Sequence, residues 1–331
     1  MSSVSIIIPV YNAELSLETL YGQLIPAMED ITKDFEVIMV EDHGSDNSWG
    51  IITKLADRDS RVLGIRMSRN YGQHNALLCG IRAAQYGIVV TMDDDLQNPV
   101  SEIRVLLDKL AEGHDVVYGA PQKQQHGILR DLASRMTKVA LQGAMGIDSA
   151  RNVSAFRAFR TRLREGFKDY RSPFVSIDVL LTWSSSDFAA IKVRHEPRAV
   201  GRSNYTLGKL VSHAFNLLTG FSTLPLQLAS MVGFIFTLFG FGVLIWVIGR
   251  YFITGASIPG FPFLASIIAI FSGAQLFALG IFGEYLARIH FRTMDRPPYV
   301  VGQVCDKTQG RWEKDIDEPA NVEHPHEQKA E

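Results

Sequence analysis

The sequence predicts an α/β domain, a mostly parallel sheet with helices on both faces, followed by an amphipathic interface helix and two transmembrane helices. Three observations predict it. Apolar runs of strand length alternate four times with helix-length segments over the first hundred residues. Residues 205–222 place Leu207, Leu210, Val211, Ala214, Phe215 and Leu218 on one helical stripe, with Lys209, Ser212, His213 and Asn216 off it. Residues 225–249 and 251–283 contain no charged side chain. Each run suffices to cross a hydrocarbon core of about 30 Å, which takes about 20 residues.

Residues 4–10 form a continuous apolar strand ended by Tyr11-Asn12, and residues 14–24 have helical spacing. Residues 35–40 are a second buried strand. The turn Glu41-Asp42-His43-Gly44-Ser45-Asp46 closes it, and Ser45 or Asp46 caps a helix starting near Ser48. Residues 62–67 are a third strand, 71–84 a helix, and 88–92 the fourth strand. That strand runs straight into Asp93-Asp94-Asp95-Leu96-Gln97-Asn98-Pro99 and is stopped there by Asn-Pro, before a helix over 101–112. Residues 115–118 read as another strand, 122–126 as a polar loop, and 128–141 as a helix with Arg130 and Ser134 on one face.

In a parallel sheet ligands bind at the carboxyl ends of the strands. That rule puts Tyr11, Asn12, Asp42, Arg69 and residues 93–97 on one rim. Carboxylates in such a run suit a hard divalent cation, which takes one or two of them and leaves its other positions to water and phosphate. An Asp-rich turn or helix cap is the alternative reading of the same run. No Gly-x-Gly-x-x-Gly follows the first strand and no Walker lysine loop is present, so the usual dinucleotide and P-loop readings lose their main support.

The chain of 331 residues has a formal net charge of −2, so its overall charge offers no footprint for nucleic acid. Two cysteines, Cys79 and Cys305, suggest neither a disulfide framework nor a zinc cluster. The opening run lacks a preceding basic residue and reads as a strand rather than a signal peptide. Lys192, Arg194, Arg198, Arg202 and Lys209 precede the two apolar runs, and Arg288, Arg292 and Arg296 follow them. The positive-inside bias then places both large ends in the cytoplasm, with only the hairpin near 253–260 outside.

Four motifs occur in order: Ile7-Ile8-Pro9-Val10-Tyr11-Asn12, Val40-Glu41-Asp42 with Ser45-Asp46, Ser68-Arg69-Asn70-Tyr71-Gly72-Gln73-His74, and Asp93-x-Asp95-Leu96-Gln97-Asn98-Pro99. Together they resemble the family 2 glycosyltransferases, and within them the branch that charges a polyprenyl phosphate, such as undecaprenyl phosphate, with a sugar. The resemblance covers residues 4–303. It implies a GT-A type nucleotide-sugar-binding domain over 1–204, the amphipathic helix over 205–222, and spans over 225–249 and 261–283. A cytoplasmic extended segment over 284–305 and a polar, disordered tail over 306–331 complete the chain.

The resemblance also implies roles. Pro9, Tyr11, Asn12, Glu14, Asp42, Arg69, Asp93 and Asp94 would bind the nucleotide sugar, with Asp42 at the base. Asp95 and Gln97 would hold Mg²⁺ or Mn²⁺, and Asp95, Arg130, Ser134 and Arg202 would act in catalysis. Arg157, Trp183, Arg198, Ser203 and Tyr205 would meet the sugar or the acceptor phosphate. Trp183 also reads as a core residue, and the arginines of 198–205 equally as a headgroup anchor. The sequence departs from the family pattern at Ala13, His43-Gly44, Asp94, Asn152-Val153 and Asn204. The implied activity is transfer of one sugar from a nucleotide-diphosphate donor, UDP by resemblance, to a polyprenyl phosphate, with inversion. The implied partners are the donor, the lipid acceptor, the membrane and further copies of the chain, a tetramer being one form. A processive polysaccharide synthase and a nucleotide-binding scaffold without turnover are the alternatives. The former usually needs more spans and a Gln-x-x-Arg-Trp stretch, which is absent.

Overall fold

The computed structural model describes residues 3–121, 153–196, 224–254 and 260–307. The expected helices over 128–141 and 205–222, the loop 122–126 and the tail beyond 307 lie outside the described residues, as do Arg130, Ser134, Arg198, Arg202, Ser203 and Tyr205.

The first four apolar runs become β1 (Val4–Val10), β2 (Phe35–Glu41), β3 (Val62–Met67) and β4 (Ile88–Thr91), paired in parallel in the order 4-1-2-3. Between them lie α1 (Leu17–Ile31), α2 (Ser48–Arg58) and α3 (Gln73–Ala83), and α4 (Glu102–Ala111) follows β4. Side chains alternate across a strand, so β1 serves two cores. Ile6 and Ile8 pack with Leu20, Leu24 and Ile52 from α1 and α2, whereas Ile7 packs on the other face with Ala76, Leu77 and Ile81 from α3. Crossing helices on both faces are what buries these strands twice and makes them read as unbroken apolar runs.

Beyond β4 the sheet is mixed rather than parallel. β6 (Arg157–Arg160) runs antiparallel between β4 and β5 (Val116–Pro121), β7 (Phe188–Val193) is parallel to β5, and β8 (Val301–Cys305) closes the other edge against β3. The full order is β7-β5-β6-β4-β1-β2-β3-β8, eight strands in one sheet. A 3₁₀ segment, Thr161–Phe167, and a short helix α5, Ile177–Thr182, connect β6 to β7.

Two long helices follow, α6 (Leu224–Thr254) and α7 (Phe261–Thr293). Their windows Pro225–Arg250 and Ile270–Thr293 have mean hydropathy 2.4 and 1.3, long and apolar enough to cross a membrane. They meet at Phe236 and Phe271, whose rings pack edge to face at 5.6 Å. Gly240 lies under the Phe271 ring, where a Cβ would sit 3.3 Å from Cζ. α7 does not stop near residue 283 but runs on to Thr293, because its last turns pack on the sheet domain. Arg288 binds Glu284 at 2.9 Å and lies over the Phe174 ring at 4.7 Å, and Arg171 meets Asp295 at 3.1 Å. The segment after α7 then pairs within its own chain: Val304 lies opposite Ile65 and Cys305 opposite Gly64.

Candidate active site

The carboxyl ends of β1 to β4 converge on one rim, and each predicted rim residue has a definite place there. Met92 donates its N–H to Ile7 O at 3.1 Å, the last rung between β4 and β1. Beyond it β4 turns away, carrying Asp93, Asp94 and Asp95, all half-buried, into a loop. Pro9 sits at this divergence. Along β1 the odd positions face β4, as Ile7 shows, so the N–H that proline lacks falls where no β4 acceptor remains.

The three carboxylates have different partners. Asp93 accepts Gln73 Nε2 at 2.7 Å, Asp94 accepts the Tyr11 N–H at 3.2 Å, and Asp95 accepts the Gln97 N–H at 3.1 Å. Burial pushes the Asp94 carboxyl up to about 7, against the pull of the Tyr11 N–H and with the help of Asp93 and Asp95 on either side. Between Asp95 and Gln97, Leu96 has φ +61°, a left-handed conformation that a leucine rarely adopts.

Asp42, at the end of β2, is only 3 % exposed. Its two carboxylate oxygens accept the N–H groups of Tyr71 at 2.7 Å and Gly72 at 2.8 Å. Burial raises its pKa despite these two donors. Asp42 therefore builds the loop after β3 and lies beneath it, instead of presenting an open carboxylate. Gly72, with φ +94°, lets that loop turn into α3. Arg69 on the same loop is exposed, its guanidinium 4.6 Å over the Tyr71 ring.

Asn12 and Glu14 lace the loop after β1 to the loop after β2. Asn12 Oδ1 accepts the Ser45 N–H at 2.8 Å, Glu14 Oε2 accepts the Asn47 N–H at 2.9 Å, and Asp46 Oδ2 accepts the Glu14 N–H at 2.9 Å. Asp46 Oδ1 also takes the Ser48 N–H at 3.0 Å, a local turn contact ahead of α2, whose N-cap is Asn47 rather than the expected Ser45 or Asp46. Tyr11, 48 % exposed, stands on the rim with its ring open to solvent.

Two expected site residues are elsewhere. Arg157, assigned to sugar or phosphate, is 1 % exposed beneath the end of β4. Its Nε donates to Thr91 Oγ1 at 3.0 Å and its Nη1 pairs with Asp178, which also accepts the Tyr118 hydroxyl at 3.0 Å. A buried guanidinium needs such partners, and with them Arg157 is part of the core. Trp183 is neither core nor rim. It is 49 % exposed, edge to face with Tyr170 at 5.5 Å. Both line a cavity of about 350 Å³ with Arg171 and Arg292. Arg82 at the end of α3 donates to Tyr170 O at 2.7 Å, so this cavity lies at the opposite end of α3 from Gln73.

Sequence reasoning passed over Gln73 as a site residue and read Arg194 only as part of the basic run before the apolar spans. Gln73 was legible in principle, since it begins the helix after a rim loop. Arg194 was not, because its partners Ser101 and Glu102 are more than ninety residues away. Among the described residues no three His, Cys, Asp or Glu side chains converge as metal ligands. A cation here would take one or two carboxylates from the run at the end of β4 and its remaining ligands from substrate and water. The hard oxygen donors and their crowded negative charge fit Mg²⁺ or Mn²⁺.

Comparison with known proteins places the chain in a family. The family model described as Glycosyl transferase family 2 matches residues 5–170. The chain is 33 % identical over 320 residues to the undecaprenyl-phosphate 4-deoxy-4-formamido-L-arabinose transferase of Yersinia pestis, covering 96 % of this chain and 98 % of that protein. The protein of the same name from Yersinia pseudotuberculosis is similar to the same degree. Among solved structures, the glucosyl-3-phosphoglycerate synthase of Mycobacterium tuberculosis is similar at 17 % identity and a TM-score of 0.46, over 66 % of this chain and 78 % of that one. A family match over half the chain and a relative aligned along nearly all of it lead to one conclusion: the chain is an enzyme that belongs to glycosyl transferase family 2.

Proposed function

We propose that the enzyme transfers a single sugar from a nucleotide-diphosphate sugar, UDP-linked, to the phosphate of undecaprenyl phosphate or a related polyprenyl phosphate at the cytoplasmic face of the inner membrane. One observation carries the reading. The carboxylate run after β4 stands against the loops of β1 and β3 through Asp94 to Tyr11 and Asp93 to Gln73, in a chain whose relative along nearly its whole length is named an undecaprenyl-phosphate 4-deoxy-4-formamido-L-arabinose transferase.

Asp95 and Gln97 would hold Mg²⁺ or Mn²⁺, and the bound cation would take up charge on the departing diphosphate. Asp93 and the Tyr11 and Arg69 side chains border the space for the nucleotide. Asp42, Asn12 and Glu14 shape that space through the loops they brace. The acceptor is a phosphate monoester whose second pKa is about 6, so it is largely dianionic at neutral pH and needs no strong general base. What the chain must supply is cationic side chains that hold two anionic reactants in line despite their repulsion. Arg130, Ser134, Arg198 and Arg202 are assigned to this role, and Ser203 and Tyr205 to contact with the sugar or the acceptor phosphate. Direct displacement inverts the anomeric centre.

The two long helices have a physical role in this scheme. A polyprenyl tail cannot leave the bilayer, so the reacting phosphate stays at headgroup depth and the active site must be held there. α7, packed on the loop around Phe174, supports such an attachment. The proposal includes a homo-oligomer, a tetramer being one form, which light scattering of the detergent-solubilised protein would size. The test of the activity is incubation of purified enzyme with undecaprenyl phosphate and a panel of radiolabelled nucleotide sugars. Label from a UDP-sugar entering the organic phase is expected, and a panel giving none would refute the assignment.

A further inference from the structure

Immediately after β7, three residues lie across the loop that follows the carboxylate run. Glu196 donates its N–H to Gln97 O at 2.8 Å, and the Gln97 side-chain amide reaches back to Glu196 O at 3.5 Å. Arg194 Nε donates to Glu102 Oε1 at 2.7 Å and its Nη2 to Ser101 Oγ at 2.9 Å. The loop so covered contains Leu96 in its left-handed conformation between Asp95 and Gln97. A backbone held in a sparsely populated region persists only when its surroundings over-determine it. The Gln97 N–H to Asp95 contact acts within the loop, whereas the contacts from Arg194 and Glu196 come from outside it and fix it against the sheet.

We propose that residues 194–196 are a strap holding the Asp95–Gln97 loop in its cation-binding conformation, with Arg194 as a positioning residue for the metal site. Arg194 touches neither the nucleotide nor the cation. It acts by clamping the first turn of α4, so that Leu96 cannot relax and carry the Asp95 carboxylate and the Gln97 amide out of register. Glu102 is nearly buried and needs a partner, which makes Arg194 the matching half of the clamp. This inference rests on the reading of Asp95 and Gln97 as metal ligands.

The test compares intact wild-type enzyme with Arg194→Ala and Arg194→Lys. Mn²⁺ uptake in the presence of UDP is read by electron paramagnetic resonance, and backbone exchange over residues 95–103 by hydrogen–deuterium mass spectrometry. The Ala variant is expected to bind Mn²⁺ about tenfold more weakly, the scale at which supports behind metal ligands act, and to exchange faster over that loop. The Lys variant, still able to donate to Glu102, should recover most of both. Unchanged Mn²⁺ binding and unchanged exchange in Arg194→Ala would overturn the strap. Wild-type enzyme that binds UDP but takes up no Mn²⁺ would overturn the metal reading instead, and faster exchange in the Ala variant would then still uphold the clamp on the loop.

Discussion

Gln73 Nε2 donates to Asp93 Oδ1 over 2.7 Å, joining the first turn of α3 to the end of β4 across the rim. The same β3–α3 loop is held from below by Asp42, through the N–H groups of Tyr71 and Gly72. That loop and the start of α3 are thus tied at both ends by carboxylates, Asp42 buried and Asp93 half-buried.

Replacing Gln73 by Ala should loosen that loop without unfolding the protein, because the pair is exposed and carries little of the stability. A lost hydrogen bond of about 1 kcal/mol corresponds to about a fivefold rise in donor KM. Steady-state kinetics with varied nucleotide sugar check this, and the melting temperature should stay within about 2 °C of wild type.

Asp95→Asn keeps an acceptor for the Gln97 N–H but removes the charge assigned to the cation. Turnover should fall about 100-fold or more at saturating Mg²⁺ or Mn²⁺, the scale of losing a group that stabilises developing charge. The circular dichroism spectrum and melting temperature should be unchanged. Near-normal turnover would show that the cation is held elsewhere.

Arg157 and Asp178 should behave as a core pair. Arg157→Met leaves Asp178 buried with only the Tyr118 hydroxyl, and the expected loss is about 3–5 kcal/mol in chemical denaturation. The double variant Arg157→Met with Asp178→Leu should regain most of it, since two apolar side chains leave no unpaired charge. An Arg157 that contacted substrate would lose activity at intact stability.

A pH dependence follows from Asp59. Arg61 donates Nε to Oδ1 at 2.9 Å and Nη2 to Oδ2 at 2.8 Å, and its guanidinium holds the Asp59 carboxyl below the usual carboxylate range. The folded state therefore binds this proton less readily than the unfolded chain does. The stability it contributes is fully present above the ordinary aspartate pKa of about 4 and is lost as pH falls through the lower folded value. Thermal melts from pH 7 to pH 3 should show a shallower acid slope in Asp59→Asn than in wild type.

The apolar runs of β1 to β4 announce themselves because each strand is buried on both faces, and their ends agree with the structure to within a residue. β6 is hidden for the opposite reason. Its sequence, Arg-Ala-Phe-Arg, is short and half cationic, and only the buried Asp178 makes an arginine acceptable there. The helix expected from residue 14 starts at Leu17, because Glu14 is used by the neighbouring turn. At the site, residue types were readable but partners were not. Asp42 reads as a ligand for a base, and nothing in its own stretch announces that its oxygens also accept amides some thirty residues on. Trp183 is apolar enough for a core, yet it is exposed at the far end of α3. Periodicity reports burial along one element, whereas these assignments depend on which elements meet.

The mass of the lipid product tests the central claim most directly. Purified enzyme, undecaprenyl phosphate, Mg²⁺ and a competent UDP-sugar should yield an organic-phase species heavier than the acceptor by one sugar residue, and Asp95→Asn should yield almost none. A ladder of products several sugars long, or acceptor recovered unchanged while wild-type enzyme consumes donor, would contradict the account.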